Sequence, residues 1–240
     1  MDIKRLISVV IPVYNEEQNI RILYNEVTQA LSGLPNLYEI LFIDDGSSDG
    51  STTVLKEIAK NDKKVKLIVL KRNYGQTAAL SAGIEISKGE LIITMDADLQ
   101  NDPKDITLLV DKINEGYDLV LGSRVMGQCE KGALRFPVYF GNLLATTLIK
   151  LLYRFKYTDL GPFRALKFDK LLELGMHDNL GWTIEMQVKA VRKKFKIKEV
   201  PVSYRRGSGR SKLTGNIKGI IIVGYRIIWT VFKYLTWKPH

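Results

Sequence analysis

Asp96 and Asp98 stand two residues apart, directly after the apolar run Leu91–Met95. Side chains alternate along a strand, but where the strand ends both carboxylates can turn to one point. Clustered carboxylates repel unless a cation or hydrogen-bond donors share the site. A hard divalent ion bound by carboxylate, amide and phosphate oxygens meets that need, and Gln100 can add a neutral oxygen. An Asx-rich turn ahead of Pro103 would use the same residues with no metal. A second acidic group, Asp44, Asp45 and Asp49, follows the apolar run Glu39–Ile43. There Asp44 suits accepting hydrogen bonds from a base or ribose, while Asp45 and Asp49 suit capping a turn and the helix that opens near Ser51. Pro12, Tyr14 and Glu16 close the first apolar run. An aromatic ring beside a carboxylate can hold a planar base; Tyr14 alone would serve equally well as packing.

Composition narrows the chemistry. Cys129 is the one cysteine and His177 and His240 are the two histidines, so any metal must be held mainly by oxygen. The 240 residues carry 36 Lys and Arg against 26 Asp and Glu, a formal charge of +10. Between Lys189 and Lys218 the only acid is Glu199, and that segment holds the whole excess. Such a concentrated field suits a polyanion: nucleic acid, anionic lipid or a phosphorylated substrate. No zinc motif or regular recognition helix supports nucleic acid. Gly207-Ser208-Gly209-Arg210-Ser211-Lys212 lacks the spacing of a nucleotide-binding P-loop, and no GxGxxG opens a helix. We read it as a flexible basic segment able to fold over phosphates.

These groups must be positioned by regular elements. Apolar runs at Ile7–Val13, Glu39–Ile43, Val65–Leu70, Leu91–Met95 and Asp118–Leu121 alternate with helical patterns at Glu17–Gly33, Ser51–Asn61, Gln76–Ser87 and Pro103–Glu115. That order predicts an α/β fold with a mostly parallel sheet covered by helices on both faces. Ligands of such sheets bind beyond the carboxyl ends of the strands, where each polar cluster falls. The second half differs. Val138–Phe155 and Ile217–Leu235 read as long amphipathic helices with wide apolar faces, basic residues and Trp or Tyr. In the first, Asn142, Thr146, Lys150 and Arg154 form one polar stripe. Both suit the plane of a membrane interface, or packing against each other or a homodimer partner. No signal-peptide core and no run of 18 uncharged apolar residues occurs, so a conventional transmembrane span is not expected. The glycine-rich seam Gly122–Gly132 divides residues 1–125 from residues 126–240.

The ordered set Pro12-Val13-Tyr14-Asn15-Glu16, Asp44-Asp45-Gly46-Ser47-Ser48-Asp49, Asn73-Tyr74-Gly75, Asp96-Ala97-Asp98-Leu99-Gln100, Gly122-Ser123-Arg124 and Asp159-Leu160-Gly161-Pro162-Phe163-Arg164 resembles the family-2 glycosyltransferases of the dolichyl- or polyprenyl-phosphate sugar synthase type. The resemblance runs from Ile7 to about Leu235. It implies a GT-A fold, a nucleotide-sugar donor (UDP-glucose or GDP-mannose), Mg2+ or Mn2+, and inverting transfer to a polyprenyl or dolichyl phosphate. Carried over by position, Pro12, Tyr14, Glu16 and Asp44 form the nucleoside pocket. Asp96 is shared by donor and metal, and Asp98 and Gln100 are metal ligands. Arg124 and Arg135 meet the acceptor phosphate, and Arg206, Arg210 and Lys212 close over the donor diphosphate. Asp159 and Arg164 lie near the reaction centre, with Asp159 orienting the sugar or, for a soluble saccharide or protein acceptor, acting as base. The chain departs from many relatives at Leu160-Gly161-Pro162, which bears on sugar and acceptor specificity. Relatives often continue into two or four membrane spans. This sequence reaches His240 without them, so contact with lipid is expected through interfacial helices or a membrane-protein partner, at the cytoplasmic face and on an anionic membrane surface.

Overall fold

The computed structural model describes residues 5–176, 182–207, 224–225 and 228–237. The first half forms as the periodicity requires: β1 (Leu6–Val13), α1 (Glu17–Ser32), β2 (Leu37–Asp44), α2 (Ser51–Asn61), β3 (Val65–Val69), α3 (Gln76–Glu85) and β4 (Leu91–Thr94). The helical pattern after Pro103 is interrupted. Asp102 accepts from the Lys104 amide, a 3-10 turn covers Pro103–Asp105, and α4 begins only at Ile106 and runs to Asn114. Then come β5 (Leu119–Ser123), α5 (Phe136–Tyr153), β6 (Arg164–Lys167), α6 (Phe168–Leu174), α7 (Trp182–Arg192) and β7 (Ile197–Pro201).

The seven strands make one sheet in the order β3-β2-β1-β4-β6-β5-β7. All pairs are parallel except the two made by β6, which runs antiparallel between β4 and β5. Strands from both sides of the Gly122–Gly132 seam thus share one sheet.

Alternation divides the core. Ile7, Val9, Ile11 and Val13 of β1 face α1, α2 and α4, whereas Val10 faces α3 and the helices of the second half. Each such aliphatic side chain stabilises the fold by about 1.5–3 kcal/mol when fully buried. Gly83 of α3 marks a close helix–sheet approach: a Cβ there would lie 2.6 Å from Val10 Cγ1 and 2.5 Å from Ile43 Cδ1.

The second half corrects the sequence reading in two places, and α5 adds a feature of its own. Strands β6 and β7 were not anticipated, because RALK and IKEVP carry no apolar alternation. The polar stripe of α5 is split: Asn142 and Thr146 are buried, and Lys150 and Arg154 are exposed. The buried pair has work to do inside. The Asn142 amide donates to the Thr158 carbonyl at 3.1 Å and accepts from the Leu160 amide at 2.8 Å. The outward face is apolar instead, with Phe136, Tyr139, Phe140, Leu143 and Leu151 exposed. Finally, α5 is itself an 18-residue helix of mean hydropathy 1.2, long and apolar enough by length and composition to cross a membrane. Its run includes Lys150, which a search for uncharged runs alone passes over.

Of the second expected amphipathic helix, only residues 224–225 and 228–235 are described. Within them Tyr225, Ile228, Trp229 and Phe232 are exposed. Val231 and Tyr234 are buried, and Tyr153 donates to the Val231 carbonyl at 2.5 Å.

Candidate active site

A cavity of about 1150 Å³ opens beyond the carboxyl ends of β1–β4. Its walls come from the loops that follow these strands, and the start of α5 closes one side. Pro12, Tyr14 and Glu16 line it after β1, and Asp96, Asp98 and Gln100 line it after β4. Arg135 and Arg206 complete the set that the sequence reading brings together here. Arg210 and Lys212 lie outside the described residues.

The acids at the end of β4 behave as the chemistry of crowded carboxylates demands. Burial, then the charge of Asp98, push the Asp96 carboxyl up to about 7. Burial also raises Asp98, opposed by a hydrogen bond from the Gln100 amide to Asp98 Oδ1 at 3.1 Å and reinforced by Glu16. The Gln76 side chain donates to Asp96 Oδ1 at 2.6 Å. Two hard oxygen ligands at a cavity wall, each destabilised as an anion, are a donor set that fits a divalent cation. Among the described residues no group of three or more His, Cys, Asp or Glu side chains could hold an ion. Asp96 and Asp98 would therefore leave much of the coordination shell open to substrate oxygens and water.

Gln100 has prior partners. Its Oε1 accepts from the Tyr204 hydroxyl at 3.0 Å and its Nε2 donates to the Arg205 carbonyl at 3.1 Å. Burial, then the Asp98 and Asp96 charges against the pull of Arg124, push the Tyr204 hydroxyl up to about 12, so it remains a donor.

Four expected site residues do not line the cavity. Asp44 is fully buried; its Oδ1 accepts from the Ser47 amide at 2.9 Å and its Oδ2 from the Thr52 hydroxyl. Its side chain organises the turn that carries Asp45 and Asp49, both of which do line the cavity. Asp45 in turn accepts from the Tyr74 and Gly75 amides at 2.8 Å, joining the β2 and β3 loops.

Arg124 and Asp159 form a buried bidentate pair, with Nε to Oδ2 and Nη2 to Oδ1 both at 2.7 Å. The Arg124 and Leu160 amides add bonds of 2.8 Å to the same carboxylate. With four donors on one carboxylate, Asp159 is neither a general base nor a sugar contact in this arrangement, and the Arg124 guanidinium is committed to it. Beneath the pair, Glu199 on β7 accepts from the Thr158 and Asp159 amides, and burial raises its pKa. Arg164 is also buried. Burial brings it down to about 10, its Nη2 donates to the Gly161 carbonyl, and its guanidinium lies 5.7 Å from the Trp182 ring centroid.

Among the cavity residues, the sequence reading passed over Gln76 and Tyr204 and assigned Asp45 and Asp49 only a structural role. Gln76 was readable as the first residue of a helix after Gly75. Tyr204 had no local signal, for it lies in an irregular stretch beyond β7.

Comparisons with known proteins bear on the family and the fold. Over 120 residues the chain is 52% identical to the undecaprenyl-phosphate 4-deoxy-4-formamido-L-arabinose transferase of Aeromonas hydrophila subsp. hydrophila, covering 50% of this chain and 36% of that protein. Over 139 residues it is 48% identical to the protein of the same name from Pseudomonas paraeruginosa, covering 58% of this chain and 41% of that one. The chain thus matches less than half the length of these curated relatives. Among solved structures, glucosyl-3-phosphoglycerate synthase from Mycobacterium tuberculosis in complex with phosphoglyceric acid superposes with a TM-score of 0.74 at 20% identity, covering 98% of this chain and 81% of that one. The same synthase in complex with Mn2+, UDP and phosphoglyceric acid gives 0.74 at 19% identity, covering 98% and 80%. This likeness establishes the GT-A-like fold. The glycosyl transferase family 2 model matches residues 8–175, most of the chain, and the protein belongs to that family.

Proposed function

We propose that the protein transfers a glycosyl group from a nucleoside-diphosphate sugar to a polyprenyl phosphate at a membrane surface. The observation that carries this reading is the placement of α5. Leu134, Arg135 and Val138 line the cavity, while the outward face from Phe136 to Leu151 is apolar and exposed. An acceptor with a phosphate head and a hydrocarbon tail matches both sides of that helix. The curated relatives, named for undecaprenyl-phosphate, support the same acceptor class.

The cavity suits a reaction that needs no strong base. A phosphate oxygen is already anionic near neutral pH. It attacks the anomeric carbon, the bond from that carbon to the donor phosphate oxygen breaks, and its electron pair leaves with the nucleoside diphosphate. Attack from the opposite side inverts the anomeric configuration. A hydroxyl acceptor would need a base, and the one considered from the sequence, Asp159, is occupied by Arg124. Asp96 and Asp98 are the residues that would hold Mg2+ or Mn2+, which neutralises charge on the leaving diphosphate when bound. The structurally similar synthase with Mn2+ and UDP supports that choice. Pro12, Tyr14 and Glu16 would receive the nucleoside, Arg206 the diphosphate, and Arg135 the acceptor phosphate.

The test is a donor panel of UDP-glucose, GDP-mannose and a nucleoside-diphosphate 4-deoxy-4-formamido-L-arabinose, with undecaprenyl phosphate and Mg2+ or Mn2+, followed by product identification. A lipid-linked sugar of inverted configuration is expected. Equal or faster transfer to soluble saccharides, or no binding of any nucleoside diphosphate, would overturn the reading. Flotation with vesicles completes it: Phe140→Asp with Leu143→Asp should abolish attachment and leave nucleotide binding intact.

A further inference from the structure

Tyr204 stands where three parts of the cavity wall meet. Its backbone amide donates to the Gln128 carbonyl and its carbonyl accepts from the Glu130 amide, each at 2.9 Å. The residue is therefore stitched to the loop that precedes α5. Its ring lies 5.1 Å from the Arg124 guanidinium, the cation already committed to Asp159. Its hydroxyl donates to Gln100 Oε1 at 3.0 Å.

Gln100 is held from the other end as well. Its Nε2 donates to the Arg205 carbonyl, and the Arg205 amide donates back to the Gln100 carbonyl at 2.7 Å. Arg205 is itself tied to the fold, its guanidinium paired with Glu26 at 2.8 Å and Asp102 at 2.6 Å. Gly207 closes over the amide so tightly that a Cβ there would lie 3.1 Å from Gln100 Cδ. Nitrogen toward a carbonyl and oxygen toward a hydroxyl leave one orientation of the amide. A carbonyl oxygen has two lone pairs, and Tyr204 uses one.

We propose that Tyr204 is a positioning residue that presents the remaining lone pair of Gln100 Oε1 to the divalent ion held by Asp96 and Asp98. The inference rests on the function proposed above, in which these residues are the metal side of the donor site. It adds a consequence for the basic segment. Arg206 lines the cavity, and its amide donates to Glu130 Oε2 at 2.7 Å, so the segment that continues into Arg210 and Lys212 starts from the same fixed point. Occupancy of the metal site and placement of the segment's root are thereby tied through one side chain.

Tyr204→Phe removes the hydroxyl and keeps the ring. Mn2+ affinity measured by titration calorimetry in saturating UDP or GDP should fall about 10-fold, the scale of an outer-sphere partner to a metal ligand. Binding of the nucleotide without metal should be unchanged. Gln100→Ala should weaken Mn2+ at least as much, and the double variant should be no weaker than Gln100→Ala alone. Native Mn2+ affinity in Tyr204→Phe, or additive losses in the double variant, overturns the proposal. If Tyr204→Phe melts well below the native protein, Gly207→Ala carries the test with the tyrosine intact. It must weaken Mn2+ several-fold by pressing on the amide, and native affinity there overturns the proposal too. A native protein that binds neither nucleotide nor Mn2+ defeats the proposed function, whereas native binding with no response to these variants defeats the positioning role alone.

Discussion

Asp98, in the loop after β4, and Asp159, in the segment between α5 and β6, are both acids of irregular segments, and the protein treats them in opposite ways. Asp159 meets a bidentate arginine and two backbone amides and is buried as a satisfied anion. Asp98 lines an open cavity with a second carboxylate beside it, and burial raises its pKa. The lesson is that crowding offset only in part, here by one donor each from Gln76 and Gln100, marks a candidate place for a ligand charge, whereas full compensation marks structure. Position separates two arginines as well: Arg124 is buried against Asp159, while Arg135 is exposed on the cavity wall.

The largest effect should come from the crowded pair. Asp98→Asn should lower transfer by about 10²–10³-fold, the scale of a single electrostatic stabiliser of a transition state, with a melting temperature no lower than that of the native protein. Near-native turnover of this variant, together with turnover that survives a chelator, would remove the metal from the mechanism.

The compensated pair should answer in stability. Arg124→Met leaves the Asp159 carboxylate buried without its cation and should cost about 3–5 kcal/mol. Arg124→Met with Asp159→Leu should cost less than the single change. Denaturant unfolding of the three proteins checks the sign. If Arg124→Met is as stable as the native protein but fails to use the acceptor, Arg124 serves the substrate after all.

A smaller effect is expected at the exposed arginine. Arg135→Ala should raise the KM for polyprenyl phosphate about tenfold, the scale of one hydrogen bond to a charged group, and leave donor affinity alone. Separate titrations of donor and lipid phosphate decide this.

The smallest effect is a pH dependence of metal-free stability. Asp96 titrates near 7 in the folded protein against 3.8 ordinarily. Between those values the folded state holds a proton that the unfolded state has lost, so this group makes stability fall as pH rises through the window. Asp96→Asn should match the native melting temperature near pH 4, gain on it up to about pH 7, and hold that advantage above. A difference independent of pH would mean that Asp96 is not held as a strained anion.

Much of the fold was legible because it is local. The α1, α2 and α3 crossovers follow apolar periodicity closely, and the acids at the ends of β2 and β4 fall where a parallel sheet puts its ligands. The misses share a cause. Strand β6 is four residues with charged ends and is a strand only because β4 and β5 lie on either side of it. The stripe on α5 was read as one continuous polar face, yet Asn142 faces inward because the Thr158–Leu160 backbone needs its amide.

The sequence by itself determined which groups exist and which face of each element is apolar: mainly oxygen groups as candidate metal ligands, acids at strand ends, a broad hydrophobic side on α5. These follow from residue type and short-range spacing. Only the tertiary structure decided which charges are spent. The partner of Asp159 is 35 residues away in the chain and that of Gln100 is 104 residues away. No local period encodes such distances, because they are set by how the strands close into one sheet. Asp44, Arg124, Asp159 and Arg164 thereby become the frame, and Asp96, Asp98 and Arg135 face the cavity.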